Sequence, residues 1–166
     1  MIIQIIFVGI FALNIALIWL AINAQKFSWY AWPGGQVMTW LPLATVFFNQ
    51  PRFELDYFWW RVAGVVAIVL GIALRRWAIA QFKKGQTGLI TSGPYALLRH
   101  PLLLSMIFIS VGWWWVWAAV YSFYFGMFIL ALIWFHANLE EKLNLAKEFG
   151  DQYRRYRRQT GMFWVK

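Results

Sequence analysis

The sequence predicts an all-α fold: a polytopic membrane helical bundle of about five transmembrane helices, with a helical hairpin and a cytoplasmic amphipathic C-terminal helix. Three observations carry this expectation. Of the 166 residues, 62% are hydrophobic and 13 are Trp, more apolar surface than one small core can hide, so the surplus has to face lipid. These residues gather into four runs, the last long enough for two spans. The longest, Leu102 to Phe135, has basic segments on both sides, which places its two ends at one membrane face.

The first run, Ile2 to Ile22, follows Met1 with no basic region and exceeds the core of a cleavable signal, so it reads as a permanent helix. Asn14 within it is expected to donate a hydrogen bond between packed helices. The second run, Ala31 to Phe48, is the weakest, because Pro33, Gly34, Gly35 and Pro42 interrupt it. The third runs from Tyr57 to Leu74 and opens on Trp59 and Trp60. As one helix, Leu102 to Phe135 would reach roughly 50 Å, against a hydrocarbon core of roughly 30 Å. It must turn back, giving spans Leu102 to about Ala118 and Ala119 to Phe135. The cluster Trp113, Trp114, Trp115 and Trp117 then lies at the far interface with Trp59 and Trp60, as an aromatic belt. Counting back puts the N-terminus outside and the C-terminus in the cytoplasm. The whole chain, 1–166, reads as a single integral membrane domain: two N-terminal spans (1–56), a core (57–156) and a tail (157–166). In a prokaryotic cell its place would be the inner membrane.

The formal charge of +9 follows from this topology. Eleven of the 15 Lys and Arg residues fall in the two segments flanking the hairpin, where anionic membrane lipids attract them. The Arg154-Arg155-Tyr156-Arg157-Arg158 run is a stripe facing headgroups, and nucleic acid is not an expected partner, since no recognised binding module accompanies the charge. With no Cys and two His, thiolate chemistry, iron–sulfur clusters and histidine-rich di-iron sites lose their ligands, and no metal site is expected. No GxGxxG, Walker A or HExxH pattern is present.

Two polar groups remain. In Ser92-Gly-Pro-Tyr-Ala-Leu-Leu-Arg-His-Pro101, Pro101 opens the fourth span and sets Arg99 and His100 beside free N–H groups of a helix N-terminus, a position that favours a carboxylate or another anion. The plainer reading has Arg99 reaching headgroups and His100 capping the helix. The second group is His136, Glu140 and Glu141, where the fifth span leaves the bilayer. Spacing of four puts His136 and Glu140 on one helical face, and Leu139, Leu143, Ala146, Phe149, Tyr153 and Tyr156 form an apolar stripe beyond. That helix should fold back over the cytoplasmic mouth of the bundle. Adjacent carboxylates are usually solvated, but only six acids occur in the chain, and a pair at a membrane boundary calls for a specific partner.

Thr91-Ser-Gly-Pro-Tyr-Ala-Leu-Leu-Arg-His-Pro101, then Glu140-Glu141 and Phe149-Gly-Asp-Gln-Tyr-Arg-Arg-Tyr156, resemble the isoprenylcysteine carboxyl methyltransferase and phospholipid methyltransferase superfamily of integral membrane enzymes. The resemblance covers roughly Gly85 to Tyr156. It implies an S-adenosylmethionine pocket built from the hairpin and the C-terminal helix, with Thr87, Gly88, Leu89 and Ile90 along the cofactor, Tyr95, His100 and Pro101 also in contact, and Glu141, or Glu140 in a shifted register, on the other side. Arg99 or His100 would hold the methionyl carboxylate. His136 and Glu140 are the candidate catalytic residues, able to take a proton from an amine acceptor. The acceptor is a lipophilic small molecule or lipid arriving from the bilayer.

The chain departs from the family pattern in three places. Leu103 and Ser105 stand where Tyr and Gly often follow the Arg-His-Pro triplet, Gly161 stands where a Pro often follows the last Tyr, and His136, Ala137 and Asn138 stand where prenylcysteine enzymes carry an Arg. Lacking that Arg, a prenylcysteine carboxylate has no positive partner, which points to a lipid amine or a hydrophobic thiol or acid. Two other readings are a sterol-reductase-like enzyme using NADPH, with Arg75, Arg76, Lys83 and Lys84 for its 2′-phosphate, and a noncatalytic membrane scaffold of the same fold.

Overall fold

The computed structural model describes residues 2–54, 58–82 and 88–166. Among them every regular element is helical: α1 (Ile2–Asn23), α2 (Ser28–Thr45), α3 (Phe58–Phe82), α4 (Pro101–Trp117), α5 (Val120–Glu140) and α6 (Ala146–Gln159). A 3-10 turn, Gly93–Ala96, precedes α4, and a π-helical turn, Glu141–Leu145, joins α5 to α6. Two helices among the described residues are long and apolar enough to cross a membrane: Phe58–Phe82, and the continuous run Val120–Gln159, whose apolar part is α5. The apolar stretches Phe7–Asn23 and Pro101–Trp117 are shorter. Val65, Val66, Val69, Leu70 and Ile72 of α3 are all exposed, an apolar face of the kind that associates with lipid.

The closest helix pair is α3 with α4, and small residues create it. Gly64, Gly71 and Ala78 recur every seven positions on the buried face of α3. A methyl group on Gly112 of α4 would lie 2.5 Å from the Gly64 carbonyl oxygen, and one on Gly71 would lie 2.8 Å from the Ser105 carbonyl oxygen. Backbone therefore meets backbone here, as small-residue stripes permit in membrane helices. Buried Gln81 ends the stripe and accepts a hydrogen bond from Ser92 Oγ at 3.2 Å, tying α3 to the segment that leads into α4.

The hairpin turns where its length requires. Ala118 takes the left-handed conformation (φ 48°) and closes α4, and Ala119 is extended before α5 begins. The segment after α2 is strapped across this tip: Phe53 N–H donates to Ala118 O at 2.8 Å and Val120 N–H donates to Pro51 O at 3.1 Å. Gln50 reinforces the strap by accepting from Ser122 N at 2.9 Å and donating to Thr45 O at 2.7 Å. Trp60 and Trp115 meet at the same end, ring centroids 5.0 Å apart, and Trp114 lies over Gly126 of α5. The core runs along α5, where Phe125, Ile129, Leu132 and Ile133 pack with Ala21, Tyr30, Leu139 and Leu143.

Several sequence expectations change. α2 continues through Pro33, Gly34 and Gly35 to Thr45, because packing against α1, α4 and α5 sustains it. α3 runs eight residues past Leu74, through Arg75 and Arg76 to Phe82, since charge ends hydropathy without ending a helix. Asn14 Nδ2 donates to Ile10 O of its own helix at 2.9 Å rather than to another helix. Ala146 is exposed while Leu139, Leu143, Tyr153 and Tyr156 of the expected stripe are buried, because the π-helical turn rotates the register at that point.

Candidate functional site

His100, at the N-terminus of α4, lies between the two carboxylates that follow α5. Its Nδ1 is 3.3 Å from Glu140 Oε2 and its Nε2 is 3.1 Å from Glu141 Oε1. Only the doubly protonated ring donates to both. Burial alone would lower the pKa of His100, but hydrogen bonds to Glu140 and Glu141, with their charges, raise it above its ordinary 6.5. Consecutive residues of an α-helix point well apart. Here the π-helical turn begins at Glu141, and such turns re-aim side chains at functional positions.

Glu141 is buried and saturated. Arg99 Nε donates to its Oε1 at 2.8 Å, His100 shares that oxygen, and Arg157 Nε lies 3.4 Å from its Oε2. Burial alone would raise its pKa, yet the hydrogen bonds from His100 and Arg99 and the charges behind them hold the carboxyl at about 2. Arg99 also donates through Nη1 to the carbonyls of Arg157 and Thr160. The chain after α6 completes the cluster: Arg99 N–H donates to Gly161 O at 2.8 Å and His100 N–H to Met162 O at 3.3 Å. Tyr156 of α6 donates to Tyr95 O at 2.6 Å. Burial pushes its phenol up to about 12, so it remains a donor throughout the neutral range. α6 thus folds back over this end of the bundle.

Beside the cluster is a cavity of about 470 Å3, within the range of about 300–1,000 Å3 usual for small-molecule sites. Gly88, Leu89, Ile90, Tyr95, Arg99, His100, His136 and Glu140 all line it, with Arg75 and Phe82 of α3, Leu102, Leu103 and Met106 of α4, and Asn144, Leu145, Phe149 and Tyr156 beyond α5. Four separated parts of the chain therefore bring many of the residues singled out in the sequence to one cavity. Gly88 adopts φ 103°, which favours glycine. Thr87 lies outside the described residues, as do Lys83 and Lys84.

Three assignments shift. Glu140, about a third exposed, faces the cavity, whereas Glu141 stands behind it, 4% exposed in the ion-pair cluster. Pro101 is buried and does not line the cavity. Arg99 and His100 line it with their donors already engaged by carboxylates and carbonyls, so they are poorly placed to receive a further carboxylate, and His100 makes no side-chain cap. The cation that lines the cavity outside this cluster is Arg75, one of four residues considered for a 2′-phosphate. Arg75 enters the sequence reading only for that phosphate, and Tyr156 only through the motif and the apolar stripe, neither as lining of an S-adenosylmethionine pocket; the signal was the helical continuation of α3 past its apolar stretch and the packing face of α6. Among the described residues no group of three or more His, Asp and Glu could hold a metal ion.

No family model, curated protein or solved structure matches the chain.

Proposed function

We propose that the chain is an integral membrane S-adenosylmethionine-dependent methyltransferase, like the isoprenylcysteine carboxyl and phospholipid methyltransferases it resembles. It transfers a methyl group to a lipophilic acceptor at the cytoplasmic face. In this reading α1 to α5 each cross the membrane, with the N-terminus outside. The observation that carries the proposal is the convergence of Gly88 to Ile90, Tyr95, His100, His136 and Glu140 on one cavity, since these are residues of the resembling motif and its second polar group.

The residues present suit the cofactor. Tyr95, Phe82, Phe149 and Tyr156 offer aromatic surface for an adenine or a sulfonium. Glu140 suits an ammonium and Arg75 a carboxylate. When bound, S-adenosylmethionine supplies an already activated methyl group. The protein's part is to align the reactants and exclude water. Glu140 and His136 both line the cavity, and either can take the proton an acceptor loses.

Calorimetric titration of the purified protein with S-adenosylhomocysteine and with NADPH tests the proposal. S-adenosylhomocysteine should bind, and Glu140→Ala should weaken it by roughly tenfold, the loss of one charge-assisted hydrogen bond. Binding of NADPH instead, or of neither, overturns the reading.

A further inference from the structure

Two buried polar atoms next to the cavity have no partner within the protein. His136 is 7% exposed and lines the cavity, and its Nδ1 has no hydrogen bond. Tyr30 of α2 is fully buried, and its hydroxyl has none either. The two rings are neighbours, with centroids 5.2 Å apart, and Phe27 stands edge-on to the imidazole at 5.0 Å. Gly34 leaves the space the Tyr30 ring occupies, because a methyl group there would come within 2.7 Å of it. Buried polar groups are ordinarily hydrogen-bonded, and an orphan in a native fold calls for a reason. Two orphans in adjoining rings, one of them on a cavity wall, point to a ligand group that completes both.

The chemistry of that group follows from its surroundings. A phenol hydroxyl and an imidazole nitrogen each donate or accept one hydrogen bond. Tyr30, Phe27 and the apolar side chains of Leu103 and Met106 supply no counterion. Of the nearest charged groups, His100 is held by Glu140 and Glu141 at 3.3 and 3.1 Å, and Glu140 is the group that takes the cofactor's ammonium in the reading above. An anionic or cationic head would be buried there without a partner.

We infer that Tyr30 and His136 form a subsite for the uncharged hydroxyl of a lipophilic molecule, whose apolar body lies along Leu102, Leu103 and Met106. This rests on the methyltransferase reading for its role, as the acceptor end of the cavity. It removes charged amines and acids from the acceptors left open by the sequence and adds Tyr30, which the sequence did not mark.

The test uses the purified full chain in dodecyl maltoside micelles doped with 1-hexadecanol, hexadecylamine or hexadecanoic acid, reading the thermal unfolding midpoint against mole fraction. Half-maximal stabilisation by the alcohol should need at least about tenfold less than the amine or the acid. Tyr30→Phe and His136→Leu should abolish that preference while raising the unfolding temperature of the ligand-free protein, since each deletes an unpaired buried polar group. His136→Gln, which restores a hydrogen-bonding head, should keep part of the preference. Tyr30→Phe should leave S-adenosylhomocysteine affinity unchanged. Equal stabilisation by the three amphiphiles, or a preference that survives in Tyr30→Phe and His136→Leu, overturns the inference. Failure of the wild-type chain to bind S-adenosylhomocysteine overturns the methyltransferase reading and leaves the hydroxyl preference to be scored on its own.

Discussion

Replacing Glu141 by Gln removes one negative charge from the cluster and keeps its shape. The carboxylate meets Arg99 at 2.8 Å, His100 at 3.1 Å and Arg157 at 3.4 Å while almost wholly buried. The fall of its pKa from 4.5 to about 2 corresponds to about 3 kcal/mol of preference for the ionised form, and removing one partner of a buried pair typically costs about 3–5 kcal/mol. Glutamine keeps one acceptor oxygen, so Glu141→Gln should destabilise by about 3 kcal/mol. The assay is unfolding in mixed micelles titrated with sodium dodecyl sulfate, followed by circular dichroism. pH gives a second, independent reading. A carboxyl with a depressed pKa contributes stability above pH 4.5 and loses it as pH falls toward 2, so the difference between wild type and variant should vanish at the acid end. His100, with its raised pKa, contributes fully below pH 6.5 and loses that contribution as pH rises through its folded value. Wild-type stability should therefore be greatest between about pH 4.5 and 6.5. A loss under about 1 kcal/mol that does not change with pH would refute the ionised cluster.

Two further predictions concern the frame around the site. Gly112→Ala places a methyl group 2.5 Å from the Gly64 carbonyl, and should lower stability by about 1–3 kcal/mol through overpacking, read in the same detergent titration; an unchanged midpoint would show that α3 and α4 are further apart than described. Single cysteines at Gly85 and Gln159 should label from one side of sealed vesicles and one at Trp115 from the other, whereas labelling of Gly85 and Gln159 from opposite sides would remove the membrane hairpin.

The hairpin was legible because two independent signals agreed: a run too long for a bilayer, and basic residues at both ends. The start of α4 was equally plain, since Pro101 fixes a first turn. The course of α2 was not, because Pro33 and Gly34 read as breakers in isolation, and only packing of Tyr30 against α5 turns the gap at Gly34 into an advantage. The two-glutamate motif pointed to the end of the bundle that holds the cavity but not to which carboxylate faces it. Nothing in Glu141-Lys-Leu-Asn-Leu145 announces a π-helical turn, and that turn decides which acid lines the cavity and which is buried. Tyr30 stayed hidden for a related reason: a tyrosine at the edge of an apolar run looks like interfacial decoration until its hydroxyl is found enclosed and unpaired.

The contact of α3 with α4 through Gly64, Gly71 and Gly112 has a mechanical consequence. Where main chain rests on main chain, the side chains closest to the glycines are those of Ile68, Ile109 and Val116, whose branching at Cβ restricts their rotamers, and the pair cannot tilt or slide without losing close packing. It acts as a fixed post, with His100 mounted at one end and the hairpin tip at the other. If the proposed acceptor enters from the bilayer, the widening that admits it must come from the other wall, where Phe7 and Phe11 of α1 and Tyr30 of α2 meet α5 through aromatic rings.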